Sequence, residues 1–203
     1  AFSFLWLRGG TEARLPHLLY ASALASLLLA AYALTLPRPG PRCTERVRAS
    51  YRAALQLLRR PDLFALCGLT FLSSMGHQLY YYGMSPFLSQ AGFPDHYIMP
   101  AMSIGQVTEV FVLGALGLCL TRLTLKQVML LGLLAQALRY GLFAYGGPLG
   151  LIIAGIGLHG FCYAFLFTSA YLYVDQHSSD ETRAGAQQIL TIMIAGFGTL
   201  AGF

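Results

Sequence analysis

Long apolar runs alternate with short polar segments along the whole chain. The last run begins at residue 184, and the others cover residues 17–36, 63–88, 98–120, 128–145 and 149–174. Each run is close to the length of about 20 residues that an α-helix needs to cross a bilayer. The pattern therefore predicts an all-α membrane protein, a polytopic helical bundle with about six transmembrane helices.

Proline and glycine mark the boundaries between these runs. The sequence Pro-Arg-Pro-Gly-Pro at 37–41 closes the first run, Pro61 suits the first turn of the next helix, and Gly-Gly-Pro at 146–148 is a minimal turn. Both ends of the chain lie in apolar sequence, so we expect a piece of a larger membrane protein. The expected parts are the end of one span and a complete span at 1–36, a linker at 37–61, and a bundle of five spans at 62–203.

The basic residues are concentrated in every second loop. Segment 38–60 contains seven arginines, Arg122 and Lys126 lie two loops later, and Arg183 precedes the last run. The loops near Gln90 and Gly146 contain no lysine or arginine. By the positive-inside rule, we expect a protein of the plasma (inner) membrane whose linker 37–61 faces the cytoplasm. Apolar residues alternate with the arginines at spacings of three and four, which predicts an amphipathic helix on the membrane face.

The composition disfavours a soluble protein. The chain has 203 residues, of which 56% are hydrophobic and 10% charged, whereas about 25% of the residues in a soluble domain are charged. The net charge of +5 comes mainly from the linker arginines, so we expect the lipid bilayer as a partner and not nucleic acid. The four cysteines lack CxxC spacing, so we expect no metal and no cofactor.

One apolar run contains two polar residues at helical spacing. Gln106 and Glu109 lie three positions apart, which places them on one face of a helix. A carboxylate near the middle of a span costs roughly 2.5–3.5 kcal/mol on insertion scales. Such a group is a candidate for handling solute or protons, although a static buried ion pair is the alternative. We therefore expect Gln106 and Glu109 to bind solute and Glu109 to couple transport to protons.

A second polar stripe lies in the run at 63–88. Ser74, Gln78, Tyr81 and Ser85 recur at spacings of three and four, with His77 and Tyr82 beside them. Amide and phenol groups bind uncharged polar ligands, and tyrosine rings can stack on flat ones. Hydrogen bonding between helices explains the same residues without a ligand. We expect Gln78 and Tyr81 to contact the solute.

Three further charged residues are assigned to structural charge pairs. Arg139 lies within a span that is antiparallel to the span of Glu109, so the two could pair. Asp175 and Arg183 flank the last polar loop and are expected to fix it. The segment Gly-Ile-Gly-Leu-His-Gly at 155–160 matches GxGxxG, but it lies inside an apolar span. Close packing of helices through small residues explains it better than a dinucleotide site.

Several motifs together resemble the nucleoside–proton symporter family of the major facilitator superfamily. They are Leu-Thr-Leu-Pro at 34–37, Gln-Val-Thr-Glu at 106–109, Leu-Arg-Tyr-Gly-Leu-Phe at 138–143, Arg-Ala-Gly-Ala-Gln at 183–187 and the stretch 161–175. The resemblance implies the C-terminal half of a major facilitator fold, with an N-terminal half of the same chain as a further partner. It also implies that Gln78, Gln106 and Glu109 match solute-contacting residues of the family.

The chain departs from the family pattern at two positions. Tyr81 stands where the family has a solute-contacting asparagine, and Ala164 stands where the family has an aspartate. The resemblance implies a secondary active transporter for nucleosides or a similar small polar solute, coupled to protons. The alternatives are a transporter of another solute such as a sugar, and a receptor or scaffold on the same fold. A membrane-embedded enzyme is disfavoured because a single carboxylate lies at mid-depth.

Overall fold

The computed structural model describes residues 11–37, 55 and 59–202. The chain divides into two compact units, Ala1–Cys43 and Thr44–Phe203. In the first unit, helix α1 (Thr11–Ala33) covers most of the first apolar run. The predicted stub of a span at 1–7 lies outside the described residues, as does most of the predicted amphipathic helix of the linker.

The second unit contains five long helices in its described part. They are α2 (Pro61–Gln90), α3 (Asp95–Leu120), α4 (Leu125–Tyr145), α5 (Leu149–Gln176) and α6 (Arg183–Ala201). Together with α1 they account for the six predicted helical runs, and the prediction of an all-helical bundle is confirmed. Within the described residues, α3, α4, α5 and α6 are long and apolar enough to cross a membrane. Helix α2 falls short of that hydropathy because it contains the serine, glutamine and tyrosine stripe.

The helix ends follow from local sequence. Pro61 occupies the first turn of α2, where a missing backbone N–H costs nothing. Thr124 caps α4: its hydroxyl oxygen accepts a hydrogen bond from the Gln127 backbone N–H, and Gln127 Oε1 accepts one from the Thr124 backbone N–H. Gly146 ends α4 in the left-handed conformation, with φ +63°, which glycine adopts without steric cost.

Helix α5 is the central helix of this unit and packs against α2, α3, α4 and α6. Seven of its residues, Cys162–Thr168, form a π-helical segment. A second π-helical segment, Ile192–Gly198, lies in α6. Such segments widen the helix locally and are frequent at functional sites.

The core consists of separate apolar clusters. One joins the beginning of α2 to the end of α5 and the beginning of α6, around Leu63, Leu166 and Leu190. Another joins the end of α2 to the beginnings of α3 and α5, around Leu88, Ile98 and Ile152. Between these two clusters, the buried residues of α2 are polar: Thr70, Ser73, Ser74 and His77. The polar groups of α2 therefore lie midway along the helix, between two apolar layers.

Candidate functional site

Helices α3 and α5 are in close contact at two glycines. A Cβ atom on Gly160 would lie 2.4 Å from the backbone nitrogen of Glu109. A Cβ atom on Gly105 would lie 3.1 Å from the Cβ atom of His159. The Thr108 hydroxyl also donates a hydrogen bond of 2.9 Å to the Gly157 carbonyl oxygen. Of the three glycines of 155–160, Gly160 packs against α3 and Gly155 packs against Phe143 of α4, and the Gly160 contact places Glu109 beside His159.

Four side chains from three helices meet at this crossing. Tyr81 Oη of α2 lies 3.3 Å from His159 Nε2 of α5. Gln106 Nε2 of α3 donates to Tyr81 Oη at 3.4 Å. Glu109 Oε2 of α3 lies 3.9 Å from His159 Nε2. We call Tyr81, Gln106, Glu109 and His159 the polar cluster.

The polar cluster has a buried base and an open front. The side chain of His159 is 1% exposed and that of Glu109 is 21% exposed. Tyr81 is 39% exposed, and Gln106 is exposed as well. Among the described residues, no group lies within hydrogen-bond distance of the Glu109 carboxylate, and the nearest basic side chain is His159 at 3.9 Å. The carboxylate is therefore free to bind a proton or a ligand.

Arg139 lies behind the polar cluster and is fully buried, with 0% exposure. Its Nη1 atom lies 2.9 Å from His159 Nδ1, and its Nη2 atom donates to Tyr140 Oη at 3.0 Å. The guanidinium carbon lies 4.3 Å from the centre of the Tyr80 ring, within the range of a cation–π contact. Burial of this charge is thus offset by one imidazole, one phenol and aromatic faces.

The direct pair of Arg139 with Glu109, considered from the sequence, does not form. Across the described residues, Arg139 has no carboxylate within 4.0 Å, and the His159 imidazole stands between it and Glu109. The reason is the tight packing at Gly105 and Gly160, which brings α5 against α3 and places His159 between the two charges.

The structure does not bring Gln78 into the polar cluster. Gln78 Nε2 donates a hydrogen bond of 3.0 Å to Thr199 Oγ1 of α6. A Cβ atom on Gly202 would lie 2.7 Å from the Cβ atom of Gln78, so α2 and α6 are tightly packed here. Ser74 of the same stripe donates to the Ile194 carbonyl oxygen of α6. Half of the predicted stripe therefore contacts α6, and Tyr81 alone reaches Gln106.

Asp175 and Arg183 lie at the polar loop between α5 and α6. Arg183 Nε lies 3.0 Å from Asp175 Oδ1, and Arg183 Nη2 lies 3.1 Å from Asp180 Oδ1. Gln187 Nε2 donates to Asp175 Oδ1 at 3.3 Å. These contacts tie the end of α5 to the beginning of α6, away from the polar cluster.

Ala164, at the position of the family aspartate, is fully buried in the π-helical segment of α5. It belongs to an apolar cluster with Val112, Leu116, Val128 and Phe165. A carboxylate at this position would have an apolar environment on α3 and α4, so the alanine suits its surroundings.

Sequence reasoning missed the importance of His159. Its ring stacks on His77, with centroids 4.6 Å apart, and it contacts Arg139, Tyr81 and Glu109. A single histidine in an apolar run has no periodic partner that would single it out. The available signal was its position among glycines, since Gly160 permits the close approach of α3.

Comparisons with known proteins identify the family. The family model for the nucleoside H+ symporters matches residues 2–203. YegT of Escherichia coli K12 is 34% identical over 193 residues, covering 91% of this chain and 45% of that protein. The xanthosine permease of the same organism is 31% identical over 205 residues, covering 91% and 48%. The nucleoside permease NupG of Escherichia coli K12 is 28% identical over 221 residues, covering 98% of this chain and 51% of that protein.

The chain thus spans about half the length of the curated relatives it matches. No solved structure matches it. The matched relatives are named as a transporter and as permeases, and the apolar helices have the length of membrane spans, which together identify a multi-pass membrane protein. Because the family model covers nearly all of its residues, the chain belongs to the nucleoside H+ symporter family.

Proposed function

We propose that the protein carries nucleosides, or a similar small polar solute, across the membrane together with protons. The observation that carries this proposal is the convergence of Tyr81, Gln106 and Glu109 from two helices, with His159 as their buried base. Two of the relatives are named for the transport of xanthosine and of nucleosides. A flat base with a polar sugar suits hydrogen-bonding side chains beside an aromatic ring.

In this proposal Gln106 and Tyr81 bind the uncharged solute, and Glu109 carries the proton. A charged carboxylate is costly within a membrane span, so a proton on Glu109 eases movements that close the site. The chain would form the C-terminal half of a major facilitator transporter, with the N-terminal half supplying the opposite wall. Rocking of the two halves would then expose Glu109 to alternate sides of the membrane.

Gln78 has a conditional role in the same proposal. Its amide group is held by Thr199 at 3.0 Å, so it contacts solute only by exchanging this bond for one to the ligand. Gln78 would then be recruited on binding, whereas Tyr81, Gln106 and Glu109 are already close together.

The topology follows the distribution of basic residues. We propose that the protein lies in the plasma (inner) membrane. Linker 37–61 and the loop joining α5 to α6 would face the cytoplasm, in agreement with the positive-inside rule. The Arg183–Asp175 contact would then lie on the cytoplasmic side and fix the loop there.

Uptake by the full-length protein tests the proposal. Radiolabelled nucleosides, sugars and amino acids are supplied to cells with and without an imposed pH gradient. We expect nucleoside uptake that rises with the gradient, and we expect Glu109→Gln to abolish that rise. Asp95→Asn is the matched control, because it makes the same chemical change at the exposed beginning of α3.

The possible outcomes separate the alternatives. Uptake of a sugar alone would point to a different solute, and uptake of none of the compounds would favour a receptor or scaffold. Unchanged gradient dependence in Glu109→Gln would remove Glu109 from proton coupling.

A further inference from the structure

The hydrogen bonds through His159 have a direction, and Arg139 sets it. A guanidinium contains only donors and stays protonated in proteins. Arg139 Nη1, 2.9 Å from His159 Nδ1, must therefore donate to that nitrogen. His159 Nδ1 then carries a lone pair, and the single ring hydrogen lies on Nε2. If the His159 ring were protonated on both nitrogens, its Nδ1–H group would face the Nη1–H group of Arg139, and no hydrogen bond could form between them.

The Nε2–H group of this tautomer faces the front of the polar cluster. Tyr81 Oη lies 3.3 Å from it and Glu109 Oε2 lies 3.9 Å from it, so the hydroxyl is the nearer acceptor. Gln106 Nε2 donates to the same Tyr81 oxygen at 3.4 Å. Tyr81 Oη thus accepts two hydrogen bonds, which is the acceptor capacity of a hydroxyl group.

The hydroxyl hydrogen of Tyr81 is left to point elsewhere. Within the described part of the chain, no acceptor takes this hydrogen. Exposure rises along the same path, from 0% at Arg139 and 1% at His159 to 39% at Tyr81. A fixed donor at the open end of a buried hydrogen-bond chain is suited to an acceptor atom of a ligand.

We propose that His159 is a positioning residue: Arg139 holds it as the Nε2–H tautomer, and Tyr81 thereby presents its hydroxyl hydrogen to an acceptor atom of the solute. The chemical class of that atom is a carbonyl oxygen or an unprotonated ring nitrogen, as a nucleobase carries. This inference rests on the proposed transport function, and it adds which atom type the site selects.

The side chains around the imidazole are consistent with this assignment. Glu109 faces the Nε2 side, where a carboxylate favours a hydrogen on that nitrogen. His77 stacks on the face of the His159 ring, and among the described residues it forms no hydrogen bond with either ring nitrogen. The titratable or charged groups that face His159 are Arg139 from α4, Glu109 from α3, His77, Tyr80 and Tyr81 from α2, and Tyr163 from α5 itself.

Nitrogen NMR tests the tautomer without measuring transport. The full-length protein is labelled with 15N-histidine, and the His159 signals are assigned by their loss in His159→Gln. We expect a neutral ring with hydrogen on Nε2 throughout about pH 5 to 8, the range in which an unperturbed histidine changes charge. Arg139→Met should release the ring into a mixture of tautomers, and Arg139→Lys, which keeps a charged donor, should restore much of the preference. An Nδ1–H tautomer or an imidazolium in the unaltered protein would overturn the proposal.

Uptake of paired solutes tests the consequence for selectivity. Each pair consists of a nucleoside and its deaza analogue, in which one ring nitrogen acceptor is replaced by C–H. For the pair in which the replaced nitrogen is the one that binds Tyr81, we expect uptake of the nucleoside to exceed uptake of its deaza analogue by roughly threefold to tenfold, as for one hydrogen bond. Tyr81→Phe and His159→Leu should lose this preference, and His159→Gln, which retains an N–H donor, should keep part of it.

The outcomes distinguish this inference from the proposed function. If the unaltered protein takes up no nucleoside, the transport proposal fails while the NMR result stands. If nucleosides are taken up and Tyr81→Phe keeps every acceptor preference, the inference fails while the transport proposal stands.

Discussion

Gly160→Ala is the perturbation that the α3–α5 contact makes most specific. The added Cβ would lie 2.4 Å from the Glu109 nitrogen and 2.5 Å from the Thr108 carbonyl carbon, which are backbone atoms that cannot rotate away. Relief to ordinary contact near 3.4 Å requires the helices to separate locally by about 1 Å. Overpacking of this kind costs about 1–3 kcal/mol. Loss of the Thr108–Gly157 hydrogen bond would add about 0.6 kcal/mol.

The assay is thermal unfolding of the purified full-length protein, together with nucleoside uptake. The two costs together come to about 1.6–3.6 kcal/mol, and each 1 kcal/mol lowers Tm by roughly 2–4 °C, so we expect a fall of roughly 3–14 °C. Uptake should also fall, because the separation moves Glu109 away from His159. The control is Gly157→Ala on the same helix, whose Cβ would meet nothing within 4 Å. Equal Tm values for the two variants would refute the close contact.

Two further predictions concern residues outside the polar cluster. Thr199→Val removes the hydroxyl that binds the Gln78 amide and leaves that amide available to solute. If Gln78 contacts solute, the KM for uptake should fall about threefold, as for one hydrogen bond of about 0.6 kcal/mol. Thr191→Val on the same helix is the control, and an unchanged KM in Thr199→Val would argue against this contact. Arg183→Gln breaks two solvent-exposed ion pairs, to Asp175 and to Asp180, worth about 0–1 kcal/mol each, so Tm should change by only a few degrees and KM should stay the same. A large change in KM would contradict a purely structural role.

The helices could be predicted because their signals are local. The length of each apolar run predicts a helix. Pro61 begins α2 and Gly146 ends α4 because of their own backbone preferences. The pairing of Asp175 with Arg183 also followed from their positions on either side of one short loop. Each of these inferences depends on residues that are close in sequence.

The polar cluster could be predicted only in part. Gln106 and Glu109 share a helix face by spacing alone, and this placed both in the site. Gln78 and Tyr81 are also three residues apart, but that spacing turns a helix by about 300° and leaves the side chains about 60° apart. Because α2 packs between α6 and the α3–α5 pair, this angle directs Gln78 to Thr199 and Tyr81 to His159.

His159 and Arg139 required the tertiary structure. They lie on α4 and α5, which approach closely where a Cβ atom on Gly132 would lie 2.8 Å from the backbone nitrogen of Leu166. The π-helical segment Cys162–Thr168, which begins three residues after this histidine, leaves no mark in the hydrophobic period of an apolar run.

Solute-driven proton movement tests the central claim most directly. The full-length protein is reconstituted into liposomes, a nucleoside is added outside, and the external pH is recorded without any imposed gradient. The account predicts a transient rise in external pH with the unaltered protein and with Asp95→Asn, and none with Glu109→Gln. A rise of equal size in Glu109→Gln would contradict the assignment of the proton to this carboxylate.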